Sequence, residues 1–244
     1  MTDASPDDPV AARHALALDI ARHAGALAHE YWLARADLEI IAKGGAQDLV
    51  SEADRAVERL IREAVTDHFP EDGFLGEEYG AFESASGFTW VIDPIDGTVP
   101  YLHGMPNWCV AIALVEGDTC VAGVIEVPTH GETFAARSGQ GATLNSRPLR
   151  LHGDLTLATG LTAIGASATT SPDAAASAIR QVMTEGGMFF RNGSGALMLA
   201  YVAASRLAGY FEPVMYAWDC RAGLLIITEA GGRGAPFKPE GGAA

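Results

Sequence analysis

The sequence predicts a mixed α/β protein that folds as one compact unit. Residues 1–150 contain two helical stretches followed by consecutive strands, whereas residues 151–244 alternate strands with helices. The 244 residues are 48% hydrophobic and 19% charged, which suits a packed core. No low-complexity linker separates the two parts of the sequence. We therefore predict that the α+β half, residues 1–150, and the smaller α/β half, residues 151–244, share this core.

Two helices are predicted before the sheet. Apolar residues recur with helical spacing over residues 9–35, and Asp8 stands before this stretch as its cap. A loop is predicted at 43–47. Ser51 and Asp54 resemble a capping box, which predicts that a second helix begins at this point.

A turn between a strand and a helix organises the chain. The apolar residues 90–92 are typical of the end of a buried strand. Pro94 lacks an N–H group, so strand pairing is predicted to end there. Residues 97–98, Gly-Thr, can open a helix.

This turn carries two acids, Asp93 and Asp96, which we expect to face one small space beside backbone N–H groups. Magnesium prefers oxygen ligands and often binds one or two carboxylates together with a substrate phosphate. A helix N-terminus attracts an anion. The turn thus offers both halves of a metal-assisted phosphate site, although Asp-Pro and Asp-Gly pairs also occur in plain turns.

The remaining elements follow from apolar runs bounded by turn residues. A short strand at 74–76 delivers Glu77 and Glu78, and residues 81–88 are predicted to form an exposed loop. Strands are then predicted at 108–115, 119–127 and 132–136 in an antiparallel sheet, followed by strands at 155–164, 188–191 and 207–211 and helices at 172–185, 193–205 and 218–230.

Charge and composition exclude several classes of protein. The net charge of −15 opposes general binding to nucleic acid. No apolar run of membrane-spanning length and no signal peptide is found. The cysteines are odd in number and lack metal-type spacing, which favours reduced thiols in a cytoplasmic protein.

Six acids stand at predicted element ends and are candidate site residues. Each also has a plain structural explanation: Asp219 as a helix cap, Glu77 as half of a solvated pair and Asp48 as a loop cap. A single fold could nevertheless gather them all. The candidates are Asp48, Glu77, Asp93, Asp96, Glu212 and Asp219.

Several of these segments resemble the signatures of the inositol monophosphatase family. The matching segments are G-E-E at 76–78, W-V-I-D-P-I-D-G-T at 90–98 and W-D-C-R-A-G-L-L-I-I-T-E-A-G-G at 218–232, with further matches at 43–54 and 193–207. They occur in family order and cover about residues 10–235. The resemblance implies a layered α-β-α-β-α sandwich of the sugar-phosphatase type. It also implies two or three Mg²⁺ ions per site, sensitivity to Li⁺, and a homodimer.

The resemblance also implies roles for individual residues. Asp93 would bridge the metal ions, Thr98 supported by Asp48 would orient the attacking water together with Glu77, and Gly97 and Thr98 would bind phosphate through their N–H groups. The implied metal ligands are Glu77, Asp93, the Ile95 carbonyl, Asp96 and Asp219, and the implied contacts to substrate are Asp96, Gly97, Thr98, Ser194, Gly195 and Glu212.

The implied activity is Mg²⁺-dependent hydrolysis of a small polyol phosphate by metal-activated water, with inositol 1-phosphate preferred. Histidinol phosphate and fructose 1,6-bisphosphate are the alternative substrates. A non-enzymatic alternative is an accessory role in a transcription complex, because some family members act there.

The sequence departs from the family pattern at three places, of which the first two touch the rim of the site and bear on the substrate. Pro100-Tyr101 replaces the usual Asn-Phe and is predicted to lie at the rim of the site. Gly195 replaces the usual Ala, and Ala208 replaces an acid. The chain also ends where relatives usually add a strand and a helix, which predicts an exposed sheet edge.

Overall fold

A computed structural model of the chain describes residues 8–37, 40–45, 48–167, 170–235 and 237, with the backbone alone for 37, 40–45 and 48–50. Within these residues the helices are α1 (Pro9–Leu33), α2 (Glu52–His68), α3 (Thr98–Leu102), α4 (Pro172–Thr184), α5 (Gly195–Ala203) and α6 (Ala217–Glu229). The strands are β1 (Ile40–Gly45), β2 (Asp48–Ser51), β3 (Gly73–Gly76), β4 (Gly80–Phe82), β5 (Phe88–Asp96), β6 (Cys109–Glu116), β7 (Thr119–Val127), β8 (Glu132–Arg137), β9 (Gly141–Leu144), β10 (Arg147–Leu149), β11 (Leu161–Ile164), β12 (Met188–Phe190) and β13 (Gly209–Phe211).

The central sheet has eight strands in the order β10-β9-β8-β7-β6-β5-β3-β4. The predicted antiparallel pairing of β6, β7 and β8 is confirmed. The prediction is wrong for β3 and β5, which are parallel, because β4 folds back on β3 before the chain crosses to β5. Residues 80–82, predicted as part of a loop or its flank, form this edge strand.

Helices cover both faces of the sheet. Helices α1 and α2 pack on one face, against β5, β6 and β7. Helices α5 and α6 lie on the other face, and α5 also contacts β13 of a three-stranded parallel sheet in the order β12-β11-β13. Helix α4 packs outside β11 and β12. The predicted α-β-α-β-α layering is therefore confirmed.

Small residues let α1 approach the sheet closely. Ala21, Ala24 and Ala28 are fully buried on the face that the sequence predicts to pack. A Cβ atom on Gly25 would lie 2.7 Å from the Cγ atom of Glu126 on β7, so no larger residue fits there without movement. The predicted cap is also confirmed, because the Asp8 carboxylate accepts the N–H groups of the first helical turn.

Three element bounds differ from the prediction. The strand predicted at 155–164 is limited to β11, since residues 151–160 form turns and bends. The loop predicted at 43–47 is partly the hairpin of β1 and β2, with residues 46–47 outside the described part. Strand β5 continues past Pro94, and its pairing with β6 breaks register between Asp93 and Asp96 instead of ending.

A buried ion pair ties α1 to the edge of the sheet. The Arg13 guanidinium donates two hydrogen bonds of 2.7 Å to Asp72, whose side chain is fully buried. The rings of Phe69 and Phe88 each lie 4.1 Å from the guanidinium carbon. Burial raises the pKa of Asp72, but hydrogen bonds from Arg13 and its other partners outweigh burial and hold this pKa below its usual value.

We expect Asp72→Ala to lower the free energy of unfolding by about 3–5 kcal/mol, because it leaves the Arg13 charge buried without a partner. Since folding depresses the pKa of Asp72, its contribution is present above the unfolded pKa and is lost as the pH falls below about 4. Urea denaturation at several pH values measures both effects. The exposed Asp67→Ala is the control, and an equal loss in both variants contradicts the prediction.

Candidate active site

Strand β5 and the turn after it deliver the two acids of the organising turn. Asp93 and Asp96 are 2% and 8% exposed, and the register break between them turns both towards the same end of the strand. The Asp93 carboxylate accepts the N–H of Ile95 at 3.1 Å, which holds this turn. Gly97 then caps α3 with a φ of 95°, a left-handed conformation that favours glycine.

Close packing is a second reason for glycine at position 97. A Cβ atom there would lie 2.8 Å from the carbonyl oxygen of Asn107 and 3.0 Å from the Cβ atom of Ser194. The neighbouring Thr98 hydroxyl donates to the Ile95 carbonyl at 3.2 Å. The Asp48 side chain, predicted to support Thr98, lies outside the described residues, so this pair stays a prediction.

The Asp96 carboxylate reaches across the molecule to the start of α5. Its Oδ2 atom accepts the Ser194 hydroxyl at 2.5 Å and the Ala196 N–H at 2.7 Å. Its Oδ1 atom accepts the Gly195 N–H at 3.1 Å. These N–H groups have no partner within the helix, so Asp96 satisfies the first turn of α5 from a distant strand.

Ser194 is therefore placed differently from its prediction as a substrate contact. It is fully buried, and its hydroxyl is used by Asp96. The Cys109 thiol, which also lies against Asp96 at 3.6 Å, completes this buried contact. All three cysteines of the chain are free thiols, as predicted.

Glu77 is positioned by a residue that sequence analysis missed. Its backbone N–H donates to the Ile92 carbonyl on β5 at 3.2 Å. The buried Glu58 of α2 accepts the N–H of Glu78 at 2.8 Å and so holds the same turn. A Cβ atom on Gly76 would lie 1.9 Å from Glu58, so glycine is required here. In the sequence, Glu58 has the helical spacing of an ordinary surface residue.

Burial and mutual repulsion raise the pKa values of the acids at this site. Burial contributes most to the raised pKa of Asp93, followed by the charges of Glu77, Asp96 and Asp219. Burial also raises the pKa of Asp219, with Asp96 the strongest neighbouring charge. Such a group of carboxylates is stable in its ionised form only if positive charge is nearby.

The donor set fits a hard divalent cation. Oxygen ligands from carboxylates are the ligands of Mg²⁺ and Ca²⁺, and the four acids Glu77, Asp93, Asp96 and Asp219 interact electrostatically. Among the described residues, no three side chains of His, Cys, Asp or Glu converge tightly enough to enclose an ion. The carboxylates are therefore assembled near one another without a preformed cage.

A cavity of ≈ 150 Å³, here called the carboxylate cavity, opens beside these acids. Asp96, Asp219, Gly195 and Glu212 line it, together with the exposed Arg191, which sequence analysis missed. Burial raises the pKa of Glu212, whereas its hydrogen bond from Tyr210 lowers it. Gly195 and Glu212, which the sequence analysis names as substrate contacts, thus both line this cavity.

Asp54 is another acid that the sequence indicated only as a capping residue. Burial raises its pKa to about 6, and its Oδ1 atom has no hydrogen-bond partner. The negative charge of Asp54 also contributes to the raised pKa of Asp93. The capping motif in the sequence does not reveal that Asp54 is buried near Asp93.

The prediction that Tyr101 lies at the rim of the site is wrong. Its ring is fully buried, and its hydroxyl donates to the Ala28 carbonyl of α1 at 2.8 Å. Its ring packs edge-on against Trp108. Tyr101 therefore belongs to the core and gives no information about the substrate.

A family model described as the inositol monophosphatase family matches residues 11–242. The chain belongs to the inositol monophosphatase family. This family consists of phosphatases, that is phosphoric monoester hydrolases, and is generally metal-dependent. The family resemblance of the sequence is thereby confirmed.

Relatives of the chain carry three different names. An inositol-1-monophosphatase of Rhizobium meliloti is 40% identical over 202 residues, which cover 80% of this chain and 74% of that protein. A Nus factor SuhB of Xylella fastidiosa is 37% identical over 82% of this chain and 73% of that protein. A histidinol-phosphatase of Chlorobaculum parvum is 33% identical over 89% of this chain and 83% of that protein.

Solved structures of the inositol monophosphatase family share the fold. The extragenic suppressor protein suhB of Bartonella henselae superposes with a TM-score of 0.86 at 36% identity, over 90% of this chain and 85% of that one. An inositol monophosphatase of Anabaena gives a TM-score of 0.83 at 31% identity, over 96% of this chain and 90% of that one. The names do not settle the substrate, because proteins with different names are similar to this chain to a comparable degree.

We expect Ser194→Ala to weaken divalent-cation binding by about 10- to 100-fold, because it removes a hydrogen bond that orients Asp96. Isothermal titration calorimetry with Mg²⁺ measures this affinity. The exposed Ser138→Ala is the matched control. Unchanged affinity in Ser194→Ala would show that the backbone N–H groups alone fix Asp96.

Proposed function

We propose that the chain is a Mg²⁺-dependent phosphatase of a small polyol phosphate, with inositol 1-phosphate as the preferred substrate. The observation that carries this is the acidic turn of Asp93 and Asp96, whose carboxylates interact with those of Glu77 and Asp219, and two of these acids, Asp96 and Asp219, line a small cavity. The 40% identity to an inositol-1-monophosphatase supports the same choice.

The metal ligands of this proposal are Glu77, Asp93, the Ile95 carbonyl, Asp96 and Asp219. Two or three Mg²⁺ ions held by these residues would supply the positive charge that neutralises the phosphate and activates a water molecule. The chain itself supplies positioning: Asp93 is fixed by the Ile95 N–H, and Asp96 by the start of α5. The Thr98 hydroxyl and Glu77 orient the attacking water, with Asp48 as the partner of Thr98.

The phosphate and the alcohol contact different parts of the chain. Gly97 and Thr98 offer their backbone N–H groups to the phosphate, at the start of α3. Gly195 and Glu212 line the carboxylate cavity and face the alcohol. Because Glu212 is held by the Tyr210 hydroxyl, its carboxylate has one orientation in which to accept hydrogen bonds from substrate hydroxyls.

Histidinol phosphate is the second substrate candidate, supported by the 33% identity to a histidinol-phosphatase. A phosphate-release screen separates the candidates. Inositol 1-phosphate, histidinol phosphate and fructose 1,6-bisphosphate should be compared by kcat/KM at saturating Mg²⁺.

An accessory role in a transcription complex is the second candidate function, favoured by the relatives named Nus factor SuhB. The net charge of −15 argues that such a role works through protein partners and not through direct binding to RNA. Capture of transcription factors by the chain, together with no turnover on the substrate panel, would favour this role.

The remaining family properties belong to the same proposal. We infer inhibition by Li⁺ and a homodimer from the family resemblance, and a cytoplasmic location from the free cysteines. In the part of the chain that the structure describes, no helix has the length and apolar character required to cross a bilayer. Light scattering tests the homodimer, and activity with added LiCl tests the inhibition.

We expect Asp93→Asn to lower kcat by more than about 10²-fold, because a central negative charge of the metal site is lost. Mg²⁺ should raise the unfolding midpoint of the wild type, since it binds the folded state, and should raise that of the variant much less. Thermal shift with and without Mg²⁺ measures this without relying on activity. The exposed Asp118→Asn is the control, and near wild-type kcat in Asp93→Asn would refute the metal assignment.

We expect Glu212→Gln to lower kcat/KM for inositol 1-phosphate by roughly 10- to 100-fold, the effect of weakening one or two charge-assisted hydrogen bonds. Hydrolysis of p-nitrophenyl phosphate should hardly change, because this substrate has no alcohol hydroxyls. Steady-state kinetics on both esters provide the comparison, with the exposed Glu116→Gln as the control. Equal losses on both substrates would indicate a general structural role for Glu212.

A further inference from the structure

A second cavity lies directly behind the carboxylate cavity. It measures ≈ 330 Å³ and is enclosed by α5, β13, α6 and residues 232–235. The side chains of Leu199, Val202, Leu224 and Ile227 supply its apolar surface, and we call it the apolar groove although Glu212 and Arg233 also line it. This description holds for the residues that the structure describes. The groove has twice the volume of the carboxylate cavity, yet the function proposed above does not use it.

Two residues, Glu212 and Met215, line both cavities, and with Tyr210, which lines the apolar groove beside them, they form the wall between the cavities. Their side chains meet at Gly195. A Cβ atom placed on Gly195 would lie 2.9 Å from the Met215 Cε atom, 3.3 Å from the Tyr210 hydroxyl and 3.9 Å from Glu212 Oε2. The wall is therefore made by three side-chain ends that converge on the first residue of α5.

The three members of the wall differ in how firmly they are held. Tyr210 and Glu212 are hydrogen-bonded to each other. They also press against the backbone at Gly165, where a Cβ atom would lie 2.0 Å from Glu212 and 2.5 Å from Tyr210. Met215 belongs to the hydrophobic core and is 4% exposed. An unbranched thioether adapts readily to its surroundings, so Met215 is the part of the wall that substitution can remove.

We propose that Met215 is a specificity-determining residue that limits the length of the leaving alcohol by closing the carboxylate cavity against the apolar groove. A compact, hydroxylated alcohol ends at Glu212 and fits in front of this wall. An alcohol with an apolar chain has to pass through the position of the Met215 thioether. The proposal rests on the phosphatase function proposed above.

The identity of residue 195 belongs to the same argument. Gly195 has no side chain, and the end of Met215 occupies the space that an alanine Cβ would need. The departure from the family's usual Ala at this position therefore goes together with a long side chain at Met215. In this proposal Gly195 and Met215 together set the depth of the carboxylate cavity.

The test compares an alcohol without an apolar chain, in glycerol 2-phosphate, with one that has such a chain, in n-hexyl phosphate. In Met215→Ala we expect the ratio of kcat/KM for the hexyl ester to that for the glycerol ester to rise by about 10- to 100-fold, the scale of discrimination by hydrophobic pockets. The change should appear as a lower KM for the hexyl ester with little change in kcat, because the chain is bound equally in the ground and transition states.

Two variants control this experiment. Met215→Leu keeps an apolar side chain of similar volume and should retain the wild-type ratio. Leu224→Ala enlarges the groove on its far side without opening the wall, so its ratio should also stay at the wild-type value. A wild-type ratio in Met215→Ala, or the same rise in Leu224→Ala, overturns the proposal. Met215→Val replaces Met215→Ala if the unfolding midpoint of the latter falls too far for assay.

Binding separates the proposal from the proposed function. Hexylphosphonate cannot be hydrolysed, and its affinity can be measured by calorimetry in the presence of Mg²⁺. Tighter binding to Met215→Ala than to the wild type, with no turnover of either ester or of inositol 1-phosphate by any variant, would support the Met215 wall and refute the phosphatase function. Turnover of glycerol 2-phosphate with equal hexylphosphonate affinity in both proteins would refute the wall alone.

Discussion

The hydrogen bonds to the Asp96 carboxylate connect the two halves of the chain. Asp96 ends the central strand β5, and it accepts the Ser194 hydroxyl and the Gly195 and Ala196 N–H groups at the start of α5. A buried carboxylate requires such donors, and the first turn of a helix requires an acceptor. One contact therefore sets the end of the strand, the start of the helix and one wall of the carboxylate cavity.

The cost of this arrangement is electrostatic. Burial and neighbouring acids raise the pKa values of Asp93, Asp96 and Asp219, so the ionised site is under repulsion. Folding tolerates it because Asp96 is hydrogen-bonded and because the acids lie on a rigid strand, a turn and a helix start. The same repulsion favours binding of a cation, since a bound positive charge offsets the repulsion among the ionised carboxylates. The same group of acids therefore lowers the stability of the metal-free fold and raises its affinity for a metal ion.

The site is divided between the halves of the chain. Residues 77–98 provide three of the acids, Glu77, Asp93 and Asp96, whereas residues 191–219 provide Asp219 and much of the lining of the carboxylate cavity. The Tyr210–Glu212 pair and Met215 belong to this second part and lie on the side that the proposed function assigns to the alcohol. Chemistry and selectivity can therefore vary separately within one fold, which agrees with the different names of the relatives.

Local sequence patterns determined the helices α1, α2 and α4–α6, the strands β6–β8 and the pairing of acids in the organising turn. Helical periodicity, capping residues and the short spacing of Asp93 and Asp96 can each be recognised from residues that are close together in the sequence. Tertiary structure alone decided the parallel pairing of β3 with β5, the burial of Tyr101, the use of Ser194 by Asp96 and the position of Met215. These contacts join residues that are distant in the sequence, and their energy depends on burial and packing that no local pattern encodes.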